Sequence, residues 1–292
     1  MPHDQDLCSS FRSLSEKTWR TLYEARKTGV RIGEEGTTER LLLYLSLHHN
    51  KSEIFIQQFN KKEESLEGAD WEWWFIGSGG DSLGFRIQAK IIDLKTDTYP
   101  HLHYQLSKSK QFQLDILIEK ALQSPPYLIP LVCLYSHVRL LNKVISWPCL
   151  SFPRRAPLYG CSVMSAFHAR ALRTKQDPNS VRAVLPHARP WHCMVCCRGY
   201  GGKTLPQRAY SYWSKQILPI DINALEASVF DNENNNKREL PDLIKNYINI
   251  KPLDHIPDRV AIVIDGRIPQ ENNENLAGMV IVRETESGEV EI

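Results

Sequence analysis

Asp70 in the run Gly68-Ala69-Asp70, and Gln88 and Lys90 in the run Gln88-Ala89-Lys90, are the residues of this 292-residue chain best suited by type and spacing to chemistry. Between them lie Trp71-Glu72-Trp73-Trp74-Phe75-Ile76, a Gly/Ser-rich segment from Gly77 to Ser82, and Leu83-Gly84-Phe85-Arg86-Ile87. Two apolar-rich runs joined in this way predict a β-hairpin. Side chains alternate along a strand, so Gln88 and Lys90 fall on one face, with Ile87, Ala89 and Ile91 on the other. Pairing symmetrically about the turn brings Asp70 opposite residues 88 to 90. A carboxylate and a carbonyl oxygen can hold a hard cation such as Mg²⁺ or Mn²⁺. A lysine beside that cation can orient or deprotonate a water and offset charge developing on a phosphate. Together these are the parts of metal-assisted phosphodiester cleavage.

The elements that must position these residues follow from periodicity. Residues 10–28 predict a helix with Phe11, Leu14, Leu22 and Ala25 on one face and Thr18 interrupting the stripe. Thr37 or Thr38 is expected to cap a second helix running to His48, with Leu42 and Leu45 buried. Glu53–Phe59 is a strand candidate, and the hairpin supplies strands at 69–76 and 84–92. A helix at 109–123 ends at Pro125-Pro126, and the apolar run 127–135 predicts a strand covered on both faces. Pro130 inside that run argues for a bulge or a later start. Further on, 162–172 and 240–248 are expected to be helical, and 191–197, 260–265 and 279–283 to be strands, the last two closing the sheet. Asp231–Asn236 and Glu271–Asn275 read as surface loops. The fold class expected is α/β (α+β), with a mixed central sheet.

Charge is unevenly placed. Net charge is +2, yet residues 120–219 hold 14 Lys/Arg and one acid, Asp177. Clustered positive charge favours a polyanion through counterion release, which makes nucleic acid the expected partner. Arg154, Arg155, Arg170, Arg173 and Lys175 are the candidate phosphate contacts. The competing expectation is a basic segment folded against the acidic first third and tail. No apolar run approaches the roughly eighteen residues of a membrane-spanning helix, so no membrane partner is expected. Seven cysteines without an export signal fit a reducing compartment better than a disulfide framework, which points to the cytoplasm.

Other residues invite chemistry less strongly. Glu72 shares a face with Asp70, and a third carboxylate there could support a second metal. The Trp71–Trp74 run could stack on bases, but aromatics on a central strand are more often core. Cys193 and Cys196, with His192, Cys149 and Cys161, could suggest zinc. One Cys-x-x-Cys without a second pair is a weak signal, and the surrounding residues look more like a buried strand. His101 and His103 follow the hairpin and suit a loop better than a phosphate contact. No phosphate loop, dinucleotide fingerprint or nucleophile elbow is present.

The order helix, three strands, helix, strand, with Asp on the second strand and Gln-x-Lys on the third, resembles the PD-(D/E)XK nuclease superfamily of restriction-endonuclease-like fold. The Gln variant is similar to the Mrr-type restriction endonucleases. The whole chain is also similar to an uncharacterised bacterial family carrying the same Gly-Ala-Asp and Gln-Ala-Lys pair. The resemblance covers residues 33–135 and implies a divalent-metal-dependent endonuclease acting on DNA in bacterial defence. It assigns Asp70 and Gln88 to the metal, Lys90 to catalysis, and a helix acid, Glu35 or Glu39, to the metal as well. Ala69 stands where the family has Pro, and Gln88 where it usually has an acid, so metal binding leans on Asp70 and the helix glutamate. Residues 1–135 are expected to form the core. Residues 136–292 would form a basic elaboration on the same sheet within a single domain, with room for a homodimer. The rival expectation is a catalytically silent module that binds nucleic acid or protein, and RNA remains open beside DNA.

Overall fold

The computed structural model describes residues 6–59, 71–107, 109–139, 147–218, 240–268 and 276–284. Helix α1 (Leu7–Thr28) starts where the Asp6 carboxylate accepts the Ser9 N–H (2.6 Å) and stops at Gly29, whose φ of 73° suits a residue without Cβ. Thr18 does not interrupt its apolar stripe. It is fully buried there, its hydroxyl accepting the Cys161 thiol at 3.5 Å. Helix α2 (Glu34–His48) begins earlier than expected, with Gly33 as its cap. The Thr37 and Thr38 hydroxyls instead donate back to the carbonyls of Gly33 (2.8 Å) and Glu34 (3.1 Å). Glu34 and Glu35 thus occupy the first turn, where the helix dipole favours negative charge.

Strands β1 (Ile54–Gln58), β2 (Trp71–Ile76) and β3 (Ser82–Ile91) follow, then α3 (Gln113–Leu122) and β4 (Ile129–Tyr135). From Glu34 to Tyr135 the order is therefore helix, three strands, helix, strand. Pro130 is tolerated inside β4 because the antiparallel partner β5 pairs only from Leu131 onward. The segment 162–172 divides into β5 (Cys161–Ser165) and α4 (Ala166–Leu172), the Ser165 hydroxyl capping the helix by accepting the Phe167 N–H at 3.2 Å. Helix α5 (Val181–Val184) and the two-residue β6 (Arg189–Pro190) come next.

Two expected strands are helices. Residues 191–197 contain α6 (Cys193–Cys196), and 260–265 fall in α9 (Asp258–Ile264); between them lie α7 (Leu205–Tyr212) and α8 (Leu240–Ile248). A short apolar run reads equally as strand or buried helix, and at α9 Pro257 and Asp258 supply the helix start. Strand β7 (Gly278–Arg283) forms as expected. The loops expected at Asp231–Asn236 and Glu271–Asn275 lie outside the described residues.

Among the described residues, seven strands form one mixed sheet in the order β1-β7-β2-β3-β4-β5-β6. Strand β7 does not close the sheet; it enters between β1 and β2, antiparallel to β1 and parallel to β2. The architecture is mixed α/β, with strands from both halves of the chain in one sheet. Helix α2 lies against β1 and β3, and α3 against β3 and β4. Trp71, Trp73, Ile87 and Ala89 pack with Phe11, Leu41 and Leu42 around a cavity of only 40 Å³, so the tryptophans on this face are core. Trp74, on the other face, is also fully buried. Against the expectation of free thiols throughout, Cys8 is bonded to Cys196, tying the start of α1 to the end of α6. Among the described residues, no helix is long and apolar enough to cross a membrane.

Candidate functional site

The β2–β3 hairpin forms in the expected register, with Trp71 opposite Ile87 and Ile76 opposite Ser82. Asp70, joined by one peptide bond to Trp71, lies outside the described residues. Gln88 and Lys90 are on the β3 face turned from α2 and are buried, at 1% and 5% exposure. A buried ammonium is costly unless it is held by polar groups. Here Lys90 Nζ donates to Gln113 Oε1 at 3.2 Å, and Gln88 Nε2 donates to the same oxygen at 3.2 Å. Gln113 is the first residue of α3, so the helix start is what fixes the amide and the ammonium beside each other. Sequence reasoning missed Gln113. Its only signal is a polar residue immediately before the apolar stripe of a helix that must cross β3.

Glu35 and Glu39 occupy successive turns of α2 and both border a cleft of about 270 Å³. Its walls also include Glu34, Thr38, Gln58, Phe59 and Trp71. The Thr38 hydroxyl shares a hydrogen bond with the Tyr135 hydroxyl (2.9 Å), which anchors this turn of α2 over the end of β4. The two glutamates and the Gln88–Lys90 pair are therefore on opposite faces of the sheet, with the first residue of β2 in the wall of the cleft. Carboxylate and amide oxygens are the donors a hard cation takes. Glu72 is not available as a further ligand. It is 1% exposed and ion-paired with Arg259 and with Arg86 (3.7 Å), and the Trp74 indole N–H donates to it at 3.3 Å. Among the described residues, the only three ligand-type side chains whose donor atoms converge within 4.8 Å are Cys149, His192 and Cys193, none of which lines this cleft.

The basic segment divides into two kinds of residue. Arg173 makes a two-pronged contact with Asp115 (2.9 and 3.0 Å), lies over the Phe112 ring at 3.7 Å, and is joined on Asp115 by Arg170 at 3.3 Å. These arginines lock α4 to α3. Arg155 pairs with Glu16 (2.9 Å) but stays half exposed, while Arg154 and Lys175 are also exposed. Arg208 pairs with Glu284 at 2.8 Å. Acids from the first third and the tail thus neutralise part of the segment. His103 donates to the Ala169 carbonyl at 2.8 Å, and burial lowers its pKa, so it is a neutral strut for α4. No curated protein and no solved structure matches this chain. A family model does match, over residues 7–288, and its description is a family of unknown function, DUF6615. With nearly its whole length covered by that match, the chain belongs to the DUF6615 family.

Proposed function

We propose that this chain is a divalent-metal-dependent nuclease that hydrolyses phosphodiester bonds of DNA, on a core of restriction-endonuclease-like type. The observation that carries the reading is Lys90: a lysine buried to 5% exposure on β3, held with Gln88 on one oxygen of Gln113. The helix–three strands–helix–strand order from Glu34 to Tyr135 and the register of the hairpin support it.

The donor types are those Mg²⁺ or Mn²⁺ takes, carboxylates of Asp70 and of Glu35 or Glu39 and the amide of Gln88, but Gln88 lies on the face of the sheet opposite the two glutamates, so one cation would not take both a helix glutamate and Gln88. When bound, the cation would supply polarisation of a phosphoryl oxygen and of a water. The protein's own residues do the rest. Lys90 offers a fixed positive charge and a hydrogen-bond donor to the phosphate or the attacking water. Gln113 holds that ammonium in place and orients Gln88. Bacterial defence is the setting the resemblance suggests, and the cytoplasm its compartment.

A catalytically silent binding module is the second reading. It is favoured by the absence, among the described residues, of three converging acids. Incubating the full chain with plasmid DNA and with RNA, with and without Mg²⁺ or Mn²⁺, separates the two. Metal-dependent cleavage of either polymer supports the nuclease, and cleavage of RNA alone replaces the DNA assignment. Binding without cleavage under every condition supports the module.

A further inference from the structure

Far from the hairpin in sequence, four soft-ligand side chains meet in the interior. Cys149, His192, Cys193 and Cys197 are exposed by only 6%, 0%, 1% and 1%. The His192 Nε2 lies 3.6 Å from the Cys149 sulfur and 3.6 Å from the Cys193 sulfur. On the other side of Cys149, the Cys197 sulfur lies 3.5 Å away. Zinc bound at about 2.3 Å by sulfur and about 2.0 Å by nitrogen in a tetrahedron requires ligand-to-ligand edges of roughly 3.5–3.8 Å. Those three separations have that length, and the donor atoms of Cys149, His192 and Cys193 all lie within 4.8 Å of one another, a set that Cys197 adjoins through Cys149. The separations are too long for a disulfide, whose sulfurs sit about 2.05 Å apart.

The local fold explains how the four converge. One turn of α6 places Cys193 and Cys197 on the same side, because residues four apart are neighbours on a helix. His192 immediately precedes that turn. Cys149 comes from the segment after Trp147, which is pinned to the α6 region by two further bonds. The Ser151 hydroxyl donates to the Cys196 carbonyl at 3.3 Å, and the Tyr200 hydroxyl donates to the Pro148 carbonyl. Trp147 and Phe152 flank the imidazole at 6.5 and 6.0 Å between ring centres and shield it from water.

We propose that Cys149, His192, Cys193 and Cys197 form a structural zinc site that clamps the 147–152 segment onto α6. Three thiolates and one imidazole are a soft set that selects zinc over Mg²⁺ or Ca²⁺. Complete burial marks the site as closed, with no position left for a substrate. The Cys-x-x-Cys spelling is misleading: Cys196 is bonded to Cys8, and the pair four residues apart is Cys193 with Cys197, the residue that follows α6 and donates its N–H to the Cys193 carbonyl. This site is independent of the nuclease reading and stands or falls without it.

The test is elemental analysis of the full chain, purified under reducing conditions without chelator. One equivalent of zinc per chain is expected. It should be lost in Cys149→Ala and Cys193→Ala and kept in Cys8→Ala, which removes a cysteine next to the cluster but outside it. Should the alanine variants fail to fold, cobalt replacement in the wild type reads the ligands directly. The expected spectrum has the intense visible bands of a tetrahedral ion with sulfur-to-metal charge transfer, and His192→Cys should shift those bands while keeping the metal. Reduced wild-type protein that holds no zinc and takes up no cobalt would overturn the site. Full occupancy with an unchanged cobalt spectrum in Cys197→Ala would overturn the fourth ligand.

Discussion

At the scale of single residues, the account rests on what Gln113 does for Lys90 and Gln88. Both donate to its side-chain oxygen, so Gln113→Leu removes the acceptor from a buried ammonium and a buried amide together. A hydrogen bond to a charged group is worth about 1.5–3 kcal/mol, so nuclease turnover should fall roughly 10- to 100-fold while Gln113→Glu retains more activity. A wild-type rate in Gln113→Leu would show that Gln113 serves packing alone. Gln88→Glu places at the same side-chain length the acid usual in the PD-(D/E)XK nucleases that the proposed function invokes, and is expected to preserve or raise the metal-dependent rate. Glu35→Gln and Glu39→Gln are expected to differ in the metal concentration needed for half-maximal cleavage, and the larger shift identifies the helix ligand. Both glutamates border the same cleft, so the sequence ambiguity between them survives in the fold.

Elements are held together by contacts that have nothing to do with chemistry, and these give their own tests. Glu72 on β2 is the counter-charge for Arg86 on β3 and Arg259 on α9. Its replacement by Ala removes the buried carboxylate that both guanidinium groups share and should cost about 3 kcal/mol of stability, measured by chemical denaturation. Gly160 permits the close approach of the turn before β5 to α1. A Cβ there would sit 1.9 Å from the Ser15 carbonyl oxygen, so Gly160→Ala should destabilise by at least about 1–3 kcal/mol. The hairpin was legible because a Gly-rich turn between two apolar runs has one simple solution. The same holds for α1, α3 and β4, whose periodicity or length decides the assignment. At α6 and α9 the apolar run is too short for periodicity to choose between strand and helix, and tertiary burial decides. The insertion of β7 between β1 and β2 was not legible, because strand order depends on long-range pairing that no local pattern encodes.

Across the whole molecule, ion pairing separates arginines that join helices from arginines that stay at the surface. Arg170 and Arg173 share Asp115 and join two helices, whereas Arg154 and Arg155 are exposed. Replacing Arg154 and Arg155 by Ala should weaken nucleic-acid binding and flatten its dependence on salt, by roughly one unit of slope for each phosphate no longer neutralised. Replacing Arg170 and Arg173 should chiefly lower the melting temperature. Identical salt slopes in wild type and the Arg154/Arg155 variant would assign this surface to another role. The central claim, metal-dependent cleavage through Lys90, is tested most directly by one comparison. Supercoiled plasmid is incubated with Mg²⁺ and either wild type or Lys90→Ala, and DNA binding is measured on the same samples. The account predicts cleavage by wild type that stops on chelation, a loss of about 10²-fold or more in Lys90→Ala, and nearly equal binding by both. Cleavage at the wild-type rate by Lys90→Ala, and likewise by Asp70→Asn, would contradict it.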